Sequence, residues 1–437
     1  METVSNKKHY FLFPVVLILL NSCSANAMDF GTEVTTSEIR MTEEGYRIFL
    51  NGDPFYVKGA GVQQGSLQAL AAHGANAFRT WSTENGKERL DQAHELGLKV
   101  TMGVWVGLER HGFDYNNKTA VQEQLARIRT KVKALKDHPA LMAWSIGNEL
   151  NLQSSNPKVW DAVNEISKMI HKLDPHHLTT TPLSGMKKKD LDLIVTRAPD
   201  LDFLSVQLYG AIEILPELIT KSGYKGPLLV TEWGATGYWE VGTTEWGAPI
   251  ENNSSEKADG YLRRYQNSIL SQSRQVMGSF VFLWGQKQER TPTWFGMFTP
   301  DGKETESVDA MHYAWNGKWP ENRSPRVLDF TLAGQRAINS IKLKPDDTYA
   351  TQVKVSDPDQ DKLIFHWEVM KESTSSKTGG DAEYVPAAIT GLFPENKDDT
   401  TTFKAPTQPG AYRLFVYVED GNNHTAHANI PFWVETE

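Results

Sequence analysis

Apolar runs rich in Val, Ile, Leu, Phe and Trp recur eight times between Phe55 and Gly285, and stretches with apolar positions three or four residues apart lie between them. The runs are Phe55 to Gly61, Ala75 to Trp81, Lys99 to Val106, Leu141 to Glu149, Leu178 to Leu183, Phe203 to Tyr209, Leu228 to Trp233 and Gly278 to Gly285. Such runs fit parallel strands buried on both faces, and the wider spacing fits crossover helices. Thr119 to Lys136 is one such helix, with Val121, Leu125, Ile128, Val132 and Leu135 on one face. Asn156-Pro157 gives the next helix a capping residue and a first-turn proline. Eight strand–helix units predict an α/β fold, a (β/α)8 TIM barrel over 28–321, with functional groups gathered at the C-terminal ends of its strands. Glu149 and Glu232 close the fourth and seventh runs.

After Trp319-Pro320 the helical spacing stops and short alternating runs take over, among them Thr351 to Val355, Leu363 to Trp367 and Tyr412 to Val418. Turn-rich stretches separate them, which predicts a C-terminal immunoglobulin-like β-sandwich over 322–437, with the boundary near Asn322 to Pro325. Glu372 to Asp381, rich in Ser, Thr, Lys and Gly, is expected to be a mobile loop between strands. The aromatics of this half, Trp367, Tyr384, Tyr412, Tyr417 and Trp433, mostly fall in strand patterns that predict core. A rigid spacer packed against the barrel is therefore expected. There is no internal repeat.

The first residues carry Lys7-Lys8-His9, an apolar stretch from Tyr10 to Leu20 and then small residues, the three regions of an export signal over 1–27. Ala25-Asn26-Ala27 has the form of a cleavage site, while Leu20-Asn21-Ser22-Cys23 resembles the motif before a lipidated cysteine. Lipidation at Cys23 is the expectation, placing the protein in the periplasm or at the outer membrane or cell surface, with free secretion as the alternative. Cys23 is the only cysteine among 437 residues, so no intramolecular disulfide or cysteine metal site is available. A net charge of −9 without a long basic run argues against a nucleic-acid partner. A monomer is expected.

Two carboxylates at strand ends fit the cleavage of a glycosidic acetal. The retaining route needs one carboxyl that protonates the leaving oxygen and another, roughly 5–5.5 Å away, that attacks the anomeric carbon. Gly147-Asn148-Glu149 and Thr231-Glu232-Trp233-Gly234, with Gly74-Ala75-Asn76-Ala77-Phe78-Arg79, Tyr209 and Trp284, form an ordered set over roughly Asn51 to Trp319. The set resembles the clan A retaining glycoside hydrolases. That resemblance implies Glu149 as acid/base, Glu232 as nucleophile and Asn148 as the partner of the sugar 2-hydroxyl. Arg79 and Tyr209 would then face Glu232, and Trp284 would floor the subsite beside the scissile bond.

Trp81, Trp105, Tyr115, Trp233, Tyr238, Trp239, Trp246, Trp284, Trp294 and Phe295 crowd the predicted open face, about half of them expected to be packing. Flat rings stack on the apolar faces of sugars, so Trp81, Trp105 and Trp239 join the substrate-binding candidates. The site region is similar to the family 2 catalytic barrel. However, the single domain after the barrel and the short stretch before it look more like the family 158 endo-β-1,3-glucanases. The resulting expectation is a retaining endo-acting β-glucanase that cuts β-1,3 linkages, with a polysaccharide, a β-glucan, as its partner. An exo-acting β-glycosidase, a transglycosylase and a non-catalytic carbohydrate-binding surface protein are the alternatives. Asp357-Pro358-Asp359-Gln360-Asp361 reads as an acidic turn, with calcium binding as its alternative. His73, His94, His111, His138 and His171 form no metal motif, so neither metal nor cofactor is expected.

Overall fold

All eight expected barrel strands form in the computed structural model, which describes Met1 and residues 33–395 and 398–436. The export signal and Cys23 lie outside the described residues. The barrel strands are, in order, Val57–Val62, Ala77–Arg79, Lys99–Val104, Leu141–Ile146, Leu178–Thr180 with Pro182–Ser184, Leu204–Gln207, Leu228–Gly234 and Val276–Trp284. Each pairs in parallel with its neighbours, and strand eight pairs with strand one. The fifth run is interrupted at Thr181: its first half pairs with strand four and its second with strand six. The Thr181 hydroxyl donates to the Ile146 carbonyl at 2.8 Å, tying the break to strand four. Strands four, seven and eight are buried along their whole length, as strands covered by helices on one side and barrel core on the other must be.

The connecting helices follow the apolar spacing. Lys118–Leu135 buries Ile128, Val132 and Leu135, and its Asn117 side chain accepts from the Ala120 N–H. Lys158–Leu173 follows Asn156-Pro157, and the Asn156 side chain accepts from the Lys158 N–H at 3.1 Å.

A three-stranded antiparallel sheet, Ser37–Thr42, Gly45–Leu50 and Asp53–Phe55, precedes the barrel and was not expected from the sequence. Its Ile48 and Leu50 pack against Val57, Ala77, Met142, Leu178, Phe203, Leu229 and Met277, which lie at or near the starts of barrel strands. The sheet therefore plugs the end opposite the predicted site. Gly45 sits at φ 112°, and a Cβ there would lie 2.0 Å from the Arg274 carbonyl oxygen. Glycine is required for the hairpin to dock so closely.

Beyond the barrel lie two sheets. One contains Arg326–Leu332, Thr348–Ser356 and Thr400–Lys404; the other contains Ile364–Lys371, Gly410–Glu419 and His424–Val434. Val327, Leu332, Val353 and Phe403 of the first share an apolar core with Val369, Leu414, Val416 and Phe432 of the second. Contacts cross the boundary expected at residue 321. Glu304–Thr305, assigned to the barrel half, pairs in parallel with His424–Thr425, and barrel and sheets pack as one compact unit. A polar seam joins them. Glu251, fully buried, accepts from Lys257 at 2.5 Å, Thr291 at 2.6 Å and Asn429 at 2.7 Å, and Arg413 donates to the Pro249 carbonyl at 2.9 Å. The acidic turn caps itself, since Asp357 accepts from the backbone N–H groups of Asp359 and Asp361 at 2.9 and 3.0 Å.

Candidate active site

Strand four stops at Ile146, and the chain turns sharply before Glu149. Gly147 has φ 69° and Glu149 φ 48°, both left-handed. That conformation is uncommon for a side chain such as Glu and concentrates at functional sites. The Glu149 N–H donates to the Pro182 carbonyl at 3.0 Å, which holds the turn across the break in strand five. Strand seven carries Glu232 directly. Beside it, the pairing register of strand six shifts between Val206 and Gln207, and this irregularity sets Gln207 opposite Glu232.

Four donors converge on Glu232. Oε1 accepts from Trp81 Nε1 at 2.8 Å, Gln207 Nε2 at 3.0 Å and Arg79 Nη1 at 3.1 Å, and Oε2 accepts from the Tyr209 hydroxyl at 2.9 Å. Arg79 has no exposed surface and also donates to Asn148 Oδ1 at 2.9 Å, as Gln207 does at 2.8 Å. Burial, and then the negative charge of Glu232, push the Tyr209 hydroxyl far above its usual range, so it remains a donor. Glu149 has a different environment. Burial first, and then the charge of Glu232, push its carboxyl up to about 7, against the opposing influence of Ser184, Arg110 and Arg79. Two carboxyls in one cavity thus have different surroundings, donors around Glu232 and burial around Glu149, as the roles of nucleophile and acid require.

The cavity has a volume of about 840 Å³, and Asn148, Glu149, Tyr209, Glu232, Trp81, Trp105 and Trp239 all line it. Trp105 and Trp239 are about half exposed, 46% and 55%, and so present ring surface to a ligand. Trp239 also meets Tyr209 edge to face, with ring centres 5.4 Å apart.

Trp284 is a correction. It is fully buried, its indole N–H donates to the Ser66 carbonyl at 2.9 Å, and it packs on Phe298 with ring centres 5.1 Å apart. Phe282 takes the cavity-facing place on strand eight. The indole finds an acceptor and apolar neighbours outside the barrel mouth and none of the cavity surface expected of it. Trp233, Trp294, Phe295 and Tyr115 are also buried. Trp246 lines a separate cavity with Trp433.

The sequence reading missed Gln207, the last residue of strand six and two positions before Tyr209. It also missed Arg110, in the short 3-10 helix Glu109–His111, and Lys287, after strand eight, which line the cavity. More unexpected are Thr378, Gly379, Gly380 and Asp381, which belong to the supposedly free loop of the C-terminal half and line the same cavity.

Comparison with known proteins agrees with this architecture. Residues 48–310 match the family described as "Glycosyl hydrolases family 2, TIM barrel domain". The chain is 26% identical to the β-glucuronidase of Sus scrofa over 76% of its own length and 54% of that protein. It is 23% identical to the β-glucuronidase of Paenibacillus borealis over 63% of its length and 49% of that protein. The chain spans about half the length of these curated relatives. Among solved structures, a β-galacturonidase from Eisenbergiella tayi bound to galacturonate superposes with a TM-score of 0.52 at 19% identity, covering 64% of this chain and 54% of that one. That likeness concerns the fold alone. The match covers the catalytic-barrel region and supports the clan A resemblance, but not family 158 specifically: the chain belongs to glycosyl hydrolase family 2 through its TIM barrel domain.

Proposed function

We propose that this chain hydrolyses a β-glycosidic bond with retention, with Glu232 as nucleophile and Glu149 as acid/base. The observation that carries the reading is the contrast between the two carboxyls: four donors on Glu232, and burial that lifts Glu149 to about 7. In the first step Glu232 attacks the anomeric carbon while Glu149 gives its proton to the departing oxygen. Esterification removes the negative charge of Glu232, so Glu149 ionises more readily and takes a proton from the incoming water. Water then attacks the anomeric carbon and frees Glu232. Asn148 has its carbonyl oxygen fixed by Arg79 and Gln207, which orients its NH2 end for a sugar hydroxyl.

For the substrate we propose a β-linked glycan, with β-1,3-glucan as the first candidate, held by the exposed rings of Trp105 and Trp239. A second reading, a β-linked uronic acid, is favoured by Arg110, which lines the cavity and whose Nε and Nη1 are buried without a hydrogen-bond partner. Two of the named relatives are β-glucuronidases, which agrees with that reading. Export, with a lipid anchor at Cys23, is part of the proposal on the strength of the N-terminal sequence alone.

The test is product analysis on laminarin, lichenan, mannan and galactan and on 4-nitrophenyl β-glucoside, β-mannoside, β-galactoside and β-glucuronide, beside Glu232→Ala. Products absent from the control are expected, with the β anomer appearing first by proton NMR. An initial α anomer contradicts the mechanism. Release from the glucuronide but from none of the neutral substrates selects the second reading.

A further inference from the structure

The segment between the strand Ile364–Lys371 and the bridge of Met370 to Ala388 leaves the C-terminal sheets and crosses to the barrel. Its base is firmly held. Glu372 accepts from Arg413 Nε and Nη2 at 3.0 and 2.8 Å, and Arg413 is itself buried. Further along, Arg290 donates its backbone N–H to Glu383 at 2.9 Å and its guanidinium to the Ser375 carbonyl, while the Tyr238 hydroxyl lies 3.4 Å from the Lys377 carbonyl oxygen. Lys287 donates to the Gly380 carbonyl. At its far side Asp381 pairs with His111 at 2.9 Å. Gly379, at φ 64°, passes so close to Arg110 and Leu152 that a Cβ there would lie 2.8 and 2.9 Å from their side chains.

The positions of these anchors in the barrel are what matter. Tyr238 follows strand seven, and Lys287 and Arg290 follow strand eight. Arg110 and His111 follow strand three, and Leu152 follows strand four. In a ring of eight strands, three lies opposite seven and four opposite eight. The segment therefore touches loops from both sides of the mouth, and Thr378 to Asp381 lie against the cavity that holds both glutamates.

We infer that residues 373–383 form a strap across the barrel mouth that restricts the site to chain ends and short β-linked oligosaccharides, and excludes the interior of a polysaccharide. The inference rests on the hydrolase reading above. A chain lying through an open cleft must leave at both ends, and the strap occupies the space above the catalytic pair that such a path would use. Binding contacts at that wall then favour short ligands, and specificity is the difference between those two substrate classes. The C-terminal half becomes part of the active site through one loop, in place of the spacer role its composition suggests.

The experiment compares the full chain, Glu232→Ala, a strap-shortened variant with 376–382 replaced by two glycines, and the Asp381→Ala and Lys287→Met variants that cut its ties. Substrates are the polysaccharides and aryl glycosides named above, with the short oligosaccharides of each polysaccharide. The full chain is expected to release products from chain ends and to prefer short oligosaccharides to polymer by about tenfold or more in kcat/KM. Shortening the strap is expected to raise the polymer-to-oligosaccharide ratio by about tenfold, and each tie variant to move it in the same direction. Rapid loss of polymer viscosity with a random ladder from the full chain, absent from Glu232→Ala, overturns the strap and leaves the hydrolase reading intact. An unchanged ratio in folded variants also overturns it. If the shortened chain does not fold, the product pattern of the full chain and the two tie variants decide. Equal behaviour of the full chain and Glu232→Ala on every substrate, aryl glycosides included, sinks the hydrolase reading and the strap with it.

Discussion

At the residue scale the site pairs one carboxyl kept protonated with another surrounded by donors. Glu149, lifted to about 7 by burial and then by Glu232, must hold its proton in the free enzyme. We expect kcat/KM to fall as pH rises through about 7, read from a pH–rate profile on a substrate whose leaving group needs protonation. The stability consequence has a definite sign. A carboxyl raised from 4.5 to about 7 keeps its proton in the folded chain where the unfolded chain has lost it, so folding stability falls as pH rises across that interval. Glu149→Gln should therefore melt higher than the parent at pH 8, by roughly a few degrees, while losing activity. Tyr209→Phe removes one charge-assisted donor at 2.9 Å from Glu232 and should lower kcat by roughly 10- to 100-fold with the fold intact by circular dichroism. The clustering of Glu149, Asn148, Arg79, Tyr209 and Glu232 was legible in the sequence because all lie at or just beyond barrel strand ends. Gln207 was legible only in principle, since the shift that sets it opposite Glu232 has no local sequence mark. Trp284 misled because a tryptophan at a strand end reads the same whether its ring faces ligand or packs behind the strand.

At the element scale the eight strands could be read from sequence because a strand covered on both faces must be apolar throughout, which sets it apart from the amphipathic helices between. The small N-terminal sheet escaped because its strands expose one face and carry charges such as Glu38, Arg40 and Arg47 on it. Its contribution is nonetheless direct. Ile48 is 1% exposed within the cluster that seals the barrel's lower end. Ile48→Ala should cost about 2–5 kcal/mol in denaturant unfolding, with kcat little changed at temperatures well below the melting point. A loss under about 0.5 kcal/mol, the range of an ordinary surface substitution, would show that the sheet is not a plug.

At the scale of the whole molecule, the barrel and the following sheets are bound by buried polar contacts as well as by apolar packing. Burial works to raise the Glu251 carboxyl, but the Lys257 ammonium and His427 beside it hold it down at about 2. Its partners come from both halves, so the seam depends on that charge. A depressed carboxyl stabilises above its unfolded value and loses that stabilisation as pH falls from about 4.5 toward 2. Glu251→Ala leaves the Lys257 ammonium buried without its partner, and should cost about 3–5 kcal/mol. Thermal unfolding at neutral pH checks this. A melting point equal to the parent's would mean that the two halves are held by other contacts. Composition alone could not show that the Ser-, Thr- and Gly-rich loop 372–381 docks on the barrel, because its ties are to backbone carbonyls and to residues more than eighty positions away.

Retention by this route requires a covalent bond between Glu232 and the sugar. The most direct measurement is intact-protein and peptide mass spectrometry after incubation with 2-deoxy-2-fluoro β-glycosides carrying a good leaving group, matched to the sugar the chain cleaves. One added glycosyl group is expected on the peptide that contains Glu232, and none in Glu232→Ala. An adduct on any other residue, or continued turnover of the parent substrate with the α anomer formed first and no adduct, would contradict it.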